Sequence, residues 1–282
     1  MQSILPVAFV VVYGVLLFGS AGVWLVITRR LERRQPVIAH EPHAVVPWTG
    51  WDVIFLACVA LALESAALRG SLRDGELPLE LTATDVVVQS AAHLVWLAFG
   101  IAFLWAKVGA KPDDVGFDVT KLRGDLRLGG RVFLSVLLPV YGIQLLLTQL
   151  MPSEHPLARL AKQQPDFGTL ALATFSAVAV APFFEEFIFR IVLQGWFEKW
   201  EALWRERTQT NGPLPAGLLA NVIVATIFGA MHWGHGPDPA ALFVLSLILG
   251  YSYQQTHRIV VPLVVHVCFN ALAVLELWVT VM

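Results

Sequence analysis

Eight stretches of about 16 to 29 residues are almost continuously apolar, and short polar loops separate them. A segment of roughly 20 mainly apolar residues can cross a bilayer as a helix, which satisfies its backbone N–H and C=O groups internally. Only 14% of the residues are charged, whereas soluble domains average about 25%. The sequence therefore predicts an all-α, polytopic transmembrane helical bundle of about eight helices. The segments lie at about 4–28, 51–69, 85–107, 131–150, 168–196, 215–233, 239–254 and 259–281.

Lys and Arg residues are distributed unevenly between the two sets of alternate loops. Fourteen of the 19 fall in one set and four in the other, and Arg190 lies within a helix. Because cytoplasmic loops are enriched in Lys and Arg, we expect the basic loops in the cytoplasm and both chain ends outside. We therefore expect an integral protein of the cell (plasma) membrane, embedded in the lipid bilayer. The net charge of −2 gives no indication of a nucleic-acid partner.

Two adjacent carboxylates and an arginine interrupt the fifth apolar segment: Glu185, Glu186 and Arg190. An ionised group at the bilayer centre costs at least ~2.5–3.5 kcal/mol, so such residues are usually functional. Residues four apart share a helix face, whereas adjacent residues point about 100° apart. We therefore expect Glu186 to pair with Arg190 and Glu185 to face elsewhere, without a partner in its own helix.

Two later apolar segments also carry polar residues at helical spacing. Phe228 and His232 are four residues apart, and so are His266 and Asn270. Each pair alone is compatible with an interhelical hydrogen bond, which contributes about 0.6–2 kcal/mol in a membrane bundle. A carboxylate, two histidines and an asparagine in three separate apolar segments favour one shared functional site.

These residue types fit two kinds of hydrolytic chemistry. In the first, Glu185 takes a proton from water, alone or with His232, while His266 and Asn270 stabilise the oxyanion that develops on a carbonyl. In the second, Glu185, His232 and His266 bind a divalent metal such as zinc. The residue types alone leave both chemistries open, and no His-Glu-x-x-His sequence is present.

Two other functional classes also place charged residues in a membrane. A proton-coupled transporter would use Glu64 and His93 as a relay with Glu185 and Glu186. A non-catalytic scaffold or immunity protein would use the same polar residues only to hold helices together. The sequence has no inverted repeat of the kind found in transporters, and a scaffold does not need every one of these residues. A membrane-embedded hydrolase is therefore the favoured interpretation.

Three motifs in this order, Glu-Glu-x-x-x-Arg, Phe-x-x-x-His and His-x-x-x-Asn, resemble those of the CPBP intramembrane proteases. This is the CAAX-protease and bacteriocin-processing family, related to the type II CAAX prenyl endopeptidase. The resemblance covers roughly residues 165–281, which divides the chain into N-terminal transmembrane helices at 1–164 and a CPBP-like catalytic core at 165–282. The motif residues are Glu185, Glu186, Arg190, Phe228, His232, His266 and Asn270.

The resemblance implies an intramembrane endopeptidase that cleaves a membrane-anchored protein or peptide. It makes Glu185 the catalytic carboxylate, His232 its partner in activating water, and His266 with Asn270 the oxyanion-stabilising group. The family is described both as metalloprotease and as glutamate-type protease, so a zinc ion bound by Glu185, His232 and His266 stays an alternative. We expect the active site to open towards the cytoplasm. The supporting residues are Glu186, Arg190 and Phe228.

The predicted depths of these residues in the membrane do not agree. Counted from residue 168 at 1.5 Å per residue, Glu185 lies ~25 Å along its helix, in the half nearer the basic loops. Counted from residue 215, His232 falls near the opposite surface. Either the sixth helix enters the bilayer late, or it is tilted, or its ends differ from 215–233.

Overall fold

The computed structural model describes residues 4–70, 81–151, 156–209, 215–234 and 236–281. Within these ranges the secondary structure is helical and contains no strand, which confirms the predicted all-α fold class. Each of the eight apolar segments forms helix. The α-helices are α1 (Ile4–Glu32), α2 (Gly50–Gly70), α3 (Ala83–Phe103), α4 (Leu122–Thr148), α5 (Pro156–Gln163), α6 (Phe167–Thr174), α7 (Ala181–Glu186), α8 (Gly195–Thr208), α9 (Leu218–Ala230), α10 (Asp238–Thr256) and α11 (Val260–Val281).

Six helical stretches in the described part of the chain are long and apolar enough to cross a membrane. The sixth and seventh predicted segments are not among them, because they form the 13-residue α9 and the 19-residue, less apolar α10. The six stretches are Phe9–Glu32, Gly50–Gly70, Ala83–Val108, Leu122–Thr148, Phe167–Thr208 and Val260–Val281.

The helix α9 has shorter bounds than the predicted sixth segment. Thirteen residues span about 20 Å, which is less than the ~30 Å hydrocarbon core. The predicted segment at 215–233 was therefore too long at both ends. His232 lies in the turn that follows α9, and its depth in the membrane stays a prediction.

The helix at Phe167–Thr208 is continuous but changes between α- and π-helical winding four times. The short α7 lies between two π-helical stretches, Phe175–Val180 and Phe187–Gln194. Pro182 in α7 has no N–H to donate and its ring crowds the carbonyl four residues earlier, which favours a local change of winding just before it. Irregular turns of this kind often mark functional sites. Glu185 and Glu186 are the last two residues of the six-residue α7, between the two π-helical stretches.

The N-terminal helices help to position the C-terminal ones. Val136 of α4 packs in the same buried hydrophobic cluster as Leu245 of α10 and Val265 of α11. At Gly129 of α4 an added Cβ would lie 2.7 Å from the Cβ of Val264, so α4 and α11 approach closely there. The helix that carries His266 and Asn270 is thus fixed by residues outside the 165–282 segment, and the division at 164/165 stays a prediction.

Candidate active site

A cavity of about 360 Å³ lies between α4, α7, α10 and α11. Glu185, His232, His266 and Asn270, the four residues predicted to be catalytic, all line it. They come from three separated parts of the chain, and the fold brings them to one space. Much of the remaining wall is apolar and includes Leu157, Ala173, Ala177, Leu242, Val274 and Leu277.

His266 lies between the two adjacent glutamates. Its Nδ1 is 2.7 Å from Glu186 Oε1, and its Nε2 is 3.7 Å from Glu185 Oε2. An ionised carboxylate can only accept, so Nδ1 donates its hydrogen to Glu186. The second distance is too long for a hydrogen bond, and Glu185 has a side chain that is 20% exposed. Glu185 therefore faces the cavity, while Glu186 orients the imidazole.

The ion pair predicted from the four-residue spacing is present. Arg190 Nε donates to Glu186 Oε2 at 3.1 Å, and both side chains are fully buried. Arg190 also donates to Gln194 Oε1 at 3.3 Å, and Gln194 Nε2 donates to Glu198 Oε1 at 2.9 Å. We call Glu186, Arg190, Gln194 and Glu198 the polar ladder, since each contacts the next along one helix face. The predicted pair is thus the first step of a longer row.

Two contacts join the polar ladder to α10. Arg190 donates to the hydroxyl of Ser246 at 2.8 Å, and Gln194 donates to the carbonyl of Gly250 at 2.8 Å. Ser246 is completely buried. Because an unpaired buried charge is strongly unfavourable, these partners are needed to keep Arg190 inside the bundle.

His232 lies two residues beyond the end of α9. Its Nδ1 is 2.8 Å from the backbone oxygen of Phe228. A carbonyl oxygen only accepts, so Nδ1 carries the hydrogen and Nε2 of the neutral ring carries the lone pair. His232 is therefore held as the tautomer that can accept a proton at Nε2.

Asn270 is oriented by the first π-helical stretch. Its Nδ2 donates to the carbonyl oxygen of Ala177 at 2.8 Å, and Ala177 lies within Phe175–Val180. Because a carbonyl oxygen only accepts, the side-chain atom that faces Ala177 is the amide nitrogen of Asn270 and not its oxygen. The bond uses one of the two hydrogens on that nitrogen. The second N–H stays available for a substrate oxygen in the cavity.

Phe228 packs against both histidines of the site. Its ring centroid lies 5.1 Å from that of His232 and 6.0 Å from that of His266. The Arg190 guanidinium lies 6.0 Å from the same ring, and Phe228 is only 1% exposed. Phe228 thus packs between the two histidines, and its supporting role stays a prediction.

Glu185, His232 and His266 do not form a compact set of metal ligands. Among the described residues, one group of three has its ligand atoms within 4.8 Å of one another, and it consists of other side chains. A tetrahedral zinc site with bonds of about 2.0–2.2 Å needs donor atoms about 3.3 Å apart. The bond from His266 Nδ1 to Glu186 leaves Nε2 as the free ring nitrogen of His266. As placed, these residues do not fit the predicted three-ligand zinc site.

The pair proposed for a transporter relay forms a local contact of its own. His93 Nε2 lies 3.0 Å from Glu64 Oε1, and Gln89 contacts both residues. The His93 ring stacks on Phe184 with centroids 4.0 Å apart. Glu64 and His93 are not among the described residues that line the cavity.

The position of the cavity bears on the orientation of the protein. Thr148, at the C-terminal end of α4, and Leu277, near the end of α11, both line the cavity. The nearby α5 contains Arg159 and Lys162, which belong to the poorly basic set of loops. The basic loops lie at the opposite ends of these helices. Part of the cavity wall thus lies towards the helix ends away from the basic loops, and the side to which the active site opens stays a prediction.

Sequence reasoning missed the contact between Glu186 and His266, because helical spacing describes faces within one helix and not contacts between two. It also missed the π-helical stretches, although Pro182 was a signal for irregular winding.

Residues 167–272 match the family model described as type II CAAX prenyl endopeptidase Rce1-like. No curated protein and no solved structure matches the chain. The matched range contains all three motifs and confirms the resemblance to the CPBP family.

Proposed function

Since residues 167–272 carry the Rce1-like domain of the CPBP family, we propose that this membrane protein is an intramembrane endopeptidase in which Glu185 activates water. The observation that carries the proposal is the convergence of Glu185, His232, His266 and Asn270 on one cavity. A carboxylate and a proton-accepting imidazole suit general-base catalysis, and N–H donors suit an oxyanion.

Water activation begins at the cavity face of α7. Glu185 accepts a proton from water while His232 Nε2, fixed as an acceptor, orients the same molecule. The resulting hydroxide adds to the scissile carbonyl carbon. When the C–N bond breaks, Glu185 returns its proton to the amine nitrogen, so the carboxylate is regenerated for the next cycle.

Two residues of α11, His266 and Asn270, stabilise the oxyanion. As an imidazolium, His266 donates from Nδ1 to Glu186 and from Nε2 to the oxyanion, and the flanking carboxylates compensate its charge. Asn270 donates with the N–H that Ala177 does not use. Preorganised donors of this kind each contribute about 10²–10³ to kcat.

The substrate is a membrane-anchored protein or peptide. The catalytic groups lie within the apolar bundle, so a peptide reaches them most directly when part of it is already held in the bilayer. The apolar wall provided by side chains such as Leu157, Leu242 and Leu277 suits such a substrate. Prenylated CAAX peptides are one member of this class.

The experiment compares Glu185→Gln with Glu64→Gln in proteoliposomes. Cleavage of a farnesylated CAAX peptide and of an unprenylated transmembrane peptide is followed by mass spectrometry. We expect Glu185→Gln to abolish cleavage and Glu64→Gln, which changes a membrane carboxylate away from the cavity, to retain it. Full activity of a folded Glu185→Gln protein would refute the assignment. Loss of activity in Glu64→Gln together with proton flux through the wild type would favour the transporter.

A further inference from the structure

A second group of reactive side chains meets at the end of the bundle that carries the basic loops. His43 comes from the segment between α1 and α2, Glu198 from α8, and His257 directly follows α10. Their ligand atoms lie within 4.8 Å of one another. We call these three residues the His-Glu-His cluster. None of them lines the catalytic cavity, and the mechanism above uses none of them.

The three side chains are in close contact. His257 Nε2 lies 2.9 Å from Glu198 Oε2. The rings of His43 and His257 stack with centroids 3.0 Å apart and an angle of 17° between their planes. A cavity of about 190 Å³ adjoins the cluster and is lined by all three residues. The cluster is thus both compact and accessible.

Other residues hold Glu198 and His257 in place. Gln194 Nε2 donates to Glu198 Oε1 at 2.9 Å, which leaves Oε2 facing His257. The backbone of His257 has φ 47°, in the left-handed region that residues other than glycine rarely adopt. Its backbone N–H donates to the carbonyl of Tyr253. Metal ligands are commonly fixed by outer partners in this way.

The segment that carries His43 is fastened on both sides of that residue. The N–H of Glu41 donates to the carbonyl of Gln255 in α10 at 2.8 Å. Lys199 Nζ donates to the carbonyls of Val46 and Trp48, each at 2.8 Å. His43 itself is solvent-exposed. The contacts keep His43 beside the other two ligands, and its exposure gives an ion a route of entry.

One ring nitrogen of the cluster lacks a hydrogen bond. The His257 side chain is only 10% exposed, and its Nε2 is buried. Glu198 Oε2 lies 2.9 Å away, but this contact is not a hydrogen bond, and no hydrogen-bond partner of Nε2 occurs in the part of the chain that the structure describes. Buried polar atoms are nearly always satisfied, so an exception points to a missing partner.

We propose that His43, Glu198 and His257 bind a divalent transition-metal ion, with zinc as the best fit. Two imidazoles and one carboxylate are a common zinc ligand set and leave the fourth tetrahedral position to water. Bonds of about 2.0–2.2 Å place donor atoms about 3.3 Å apart, so the ligands close by about 1.5 Å at most. The rings of His43 and His257 are stacked with nearly parallel planes, so the exposed His43 side chain must also turn out of the stack to point a ring nitrogen at the ion. The bound ion ties the segment between α1 and α2 to α8 and α10.

The competing arrangement is an ion pair without metal. There, a protonated His257 would face Glu198, and His43 would stack on the imidazolium. The two arrangements differ in metal content. They also differ in whether a cysteine, which binds metal but has no imidazole ring, can replace a histidine of the cluster. They can therefore be separated without an activity measurement.

The test uses the full-length chain in nanodiscs, stripped with a chelator and titrated with Zn²⁺ by calorimetry and with Co²⁺ by visible absorption. We expect one Zn²⁺ per chain and tetrahedral Co²⁺ bands. His43→Ala and His257→Ala should each weaken zinc binding by more than the ~10–100-fold that loss of an outer partner costs. Compared with His43→Ala, the His43→Cys variant should bind the metal again, and its Co²⁺ spectrum should show the absorption of a thiolate ligand.

Matched controls identify the site that binds. His40→Ala removes a neighbouring histidine, whose ring lies 6.1 Å from that of His43, and should leave binding unchanged. Glu185→Gln should also leave it unchanged, so failure of the proposed catalytic function does not affect this result. The proposal is wrong if the wild type binds no zinc, or if zinc binding persists in both His43→Ala and His257→Ala.

Discussion

His266 donates from Nδ1 to Glu186 Oε1 at 2.7 Å, so the second glutamate of the pair orients an imidazole in addition to neutralising Arg190. This contact connects α7 to α11 within the membrane. In the proposed mechanism, Glu186 is therefore a positioning residue whose effect on the reaction passes through His266.

Replacement of Glu186 by Gln should therefore change the chemical step more than substrate binding. A glutamine keeps the volume but removes the charge that holds the His266 imidazolium. We expect kcat to fall by about 10²-fold, within the range for a disturbed general acid–base group, while KM stays within a few-fold. The acidic limb of the pH–kcat profile should shift relative to the wild type. An unchanged pH profile with loss of folded protein would show a purely structural role.

Arg190 should be the most stability-sensitive charge in the bundle. Arg190→Met leaves Glu186 buried beside His266 without its main counter-charge, and breaking a buried pair in this way costs about 3–5 kcal/mol. Thermal unfolding in detergent should show a clearly lower Tm. Lys121→Met is the matched control, because its pair with Glu41 is half exposed and worth about 0–1 kcal/mol. Equal Tm changes in the two variants would contradict the role assigned to the buried pair.

Asn270→Ala should reduce turnover without unfolding the protein. The change removes an oxyanion donor, and loss of one such donor costs about 10²–10³ in kcat. It also removes the bond to Ala177, so circular dichroism and Tm must accompany the kinetics. Thr226→Ala, which loses only an exposed bond within α9, serves as the comparison and should keep normal kcat. A normal kcat in Asn270→Ala would remove this residue from the mechanism.

The orientation of the cavity can be read from thiol accessibility in intact cells. The distribution of 14 basic residues against four predicts that the Lys121 end is cytoplasmic and that the cavity end faces away from the cytoplasm. In a background without Cys58 and Cys268, Met151→Cys should react with an impermeant reagent from outside. Lys121→Cys should react only after permeabilisation. The reverse labelling would place the cavity at the cytoplasmic side and show that the charge asymmetry misleads here.

Much of the helical architecture could be predicted, because apolar length and four-residue spacing are properties of single segments. They correctly gave the helices and the pair between Glu186 and Arg190. The end of α9 was not predictable from hydropathy, since the apolar residues Met231 and Trp233 flank His232 after the helix has stopped. His232 consequently lies in a turn and not on the helix.

Contacts between distant segments were the part that the sequence could not supply. His43 lies in a loop without any motif, and only the fold places it beside Glu198 and His257. The same holds for Ala177, whose carbonyl orients Asn270 from a π-helical stretch. Spacing along one helix gives no information on which neighbour meets each face.

The polar ladder has a mechanical consequence for the helix that carries Glu185. Glu186, Arg190, Gln194 and Glu198 contact one another on one side, and Ser246 and Gly250 of α10 fasten that row. If this helix rolled about its axis by one residue, about 100°, the contacts within the polar ladder would turn with it, but the bonds of Arg190 to Ser246, of Gln194 to Gly250 and of Glu186 to His266 would break. These contacts therefore fix the rotation of the helix about its axis. The direction in which Glu185 points is set by side chains other than Glu185 itself.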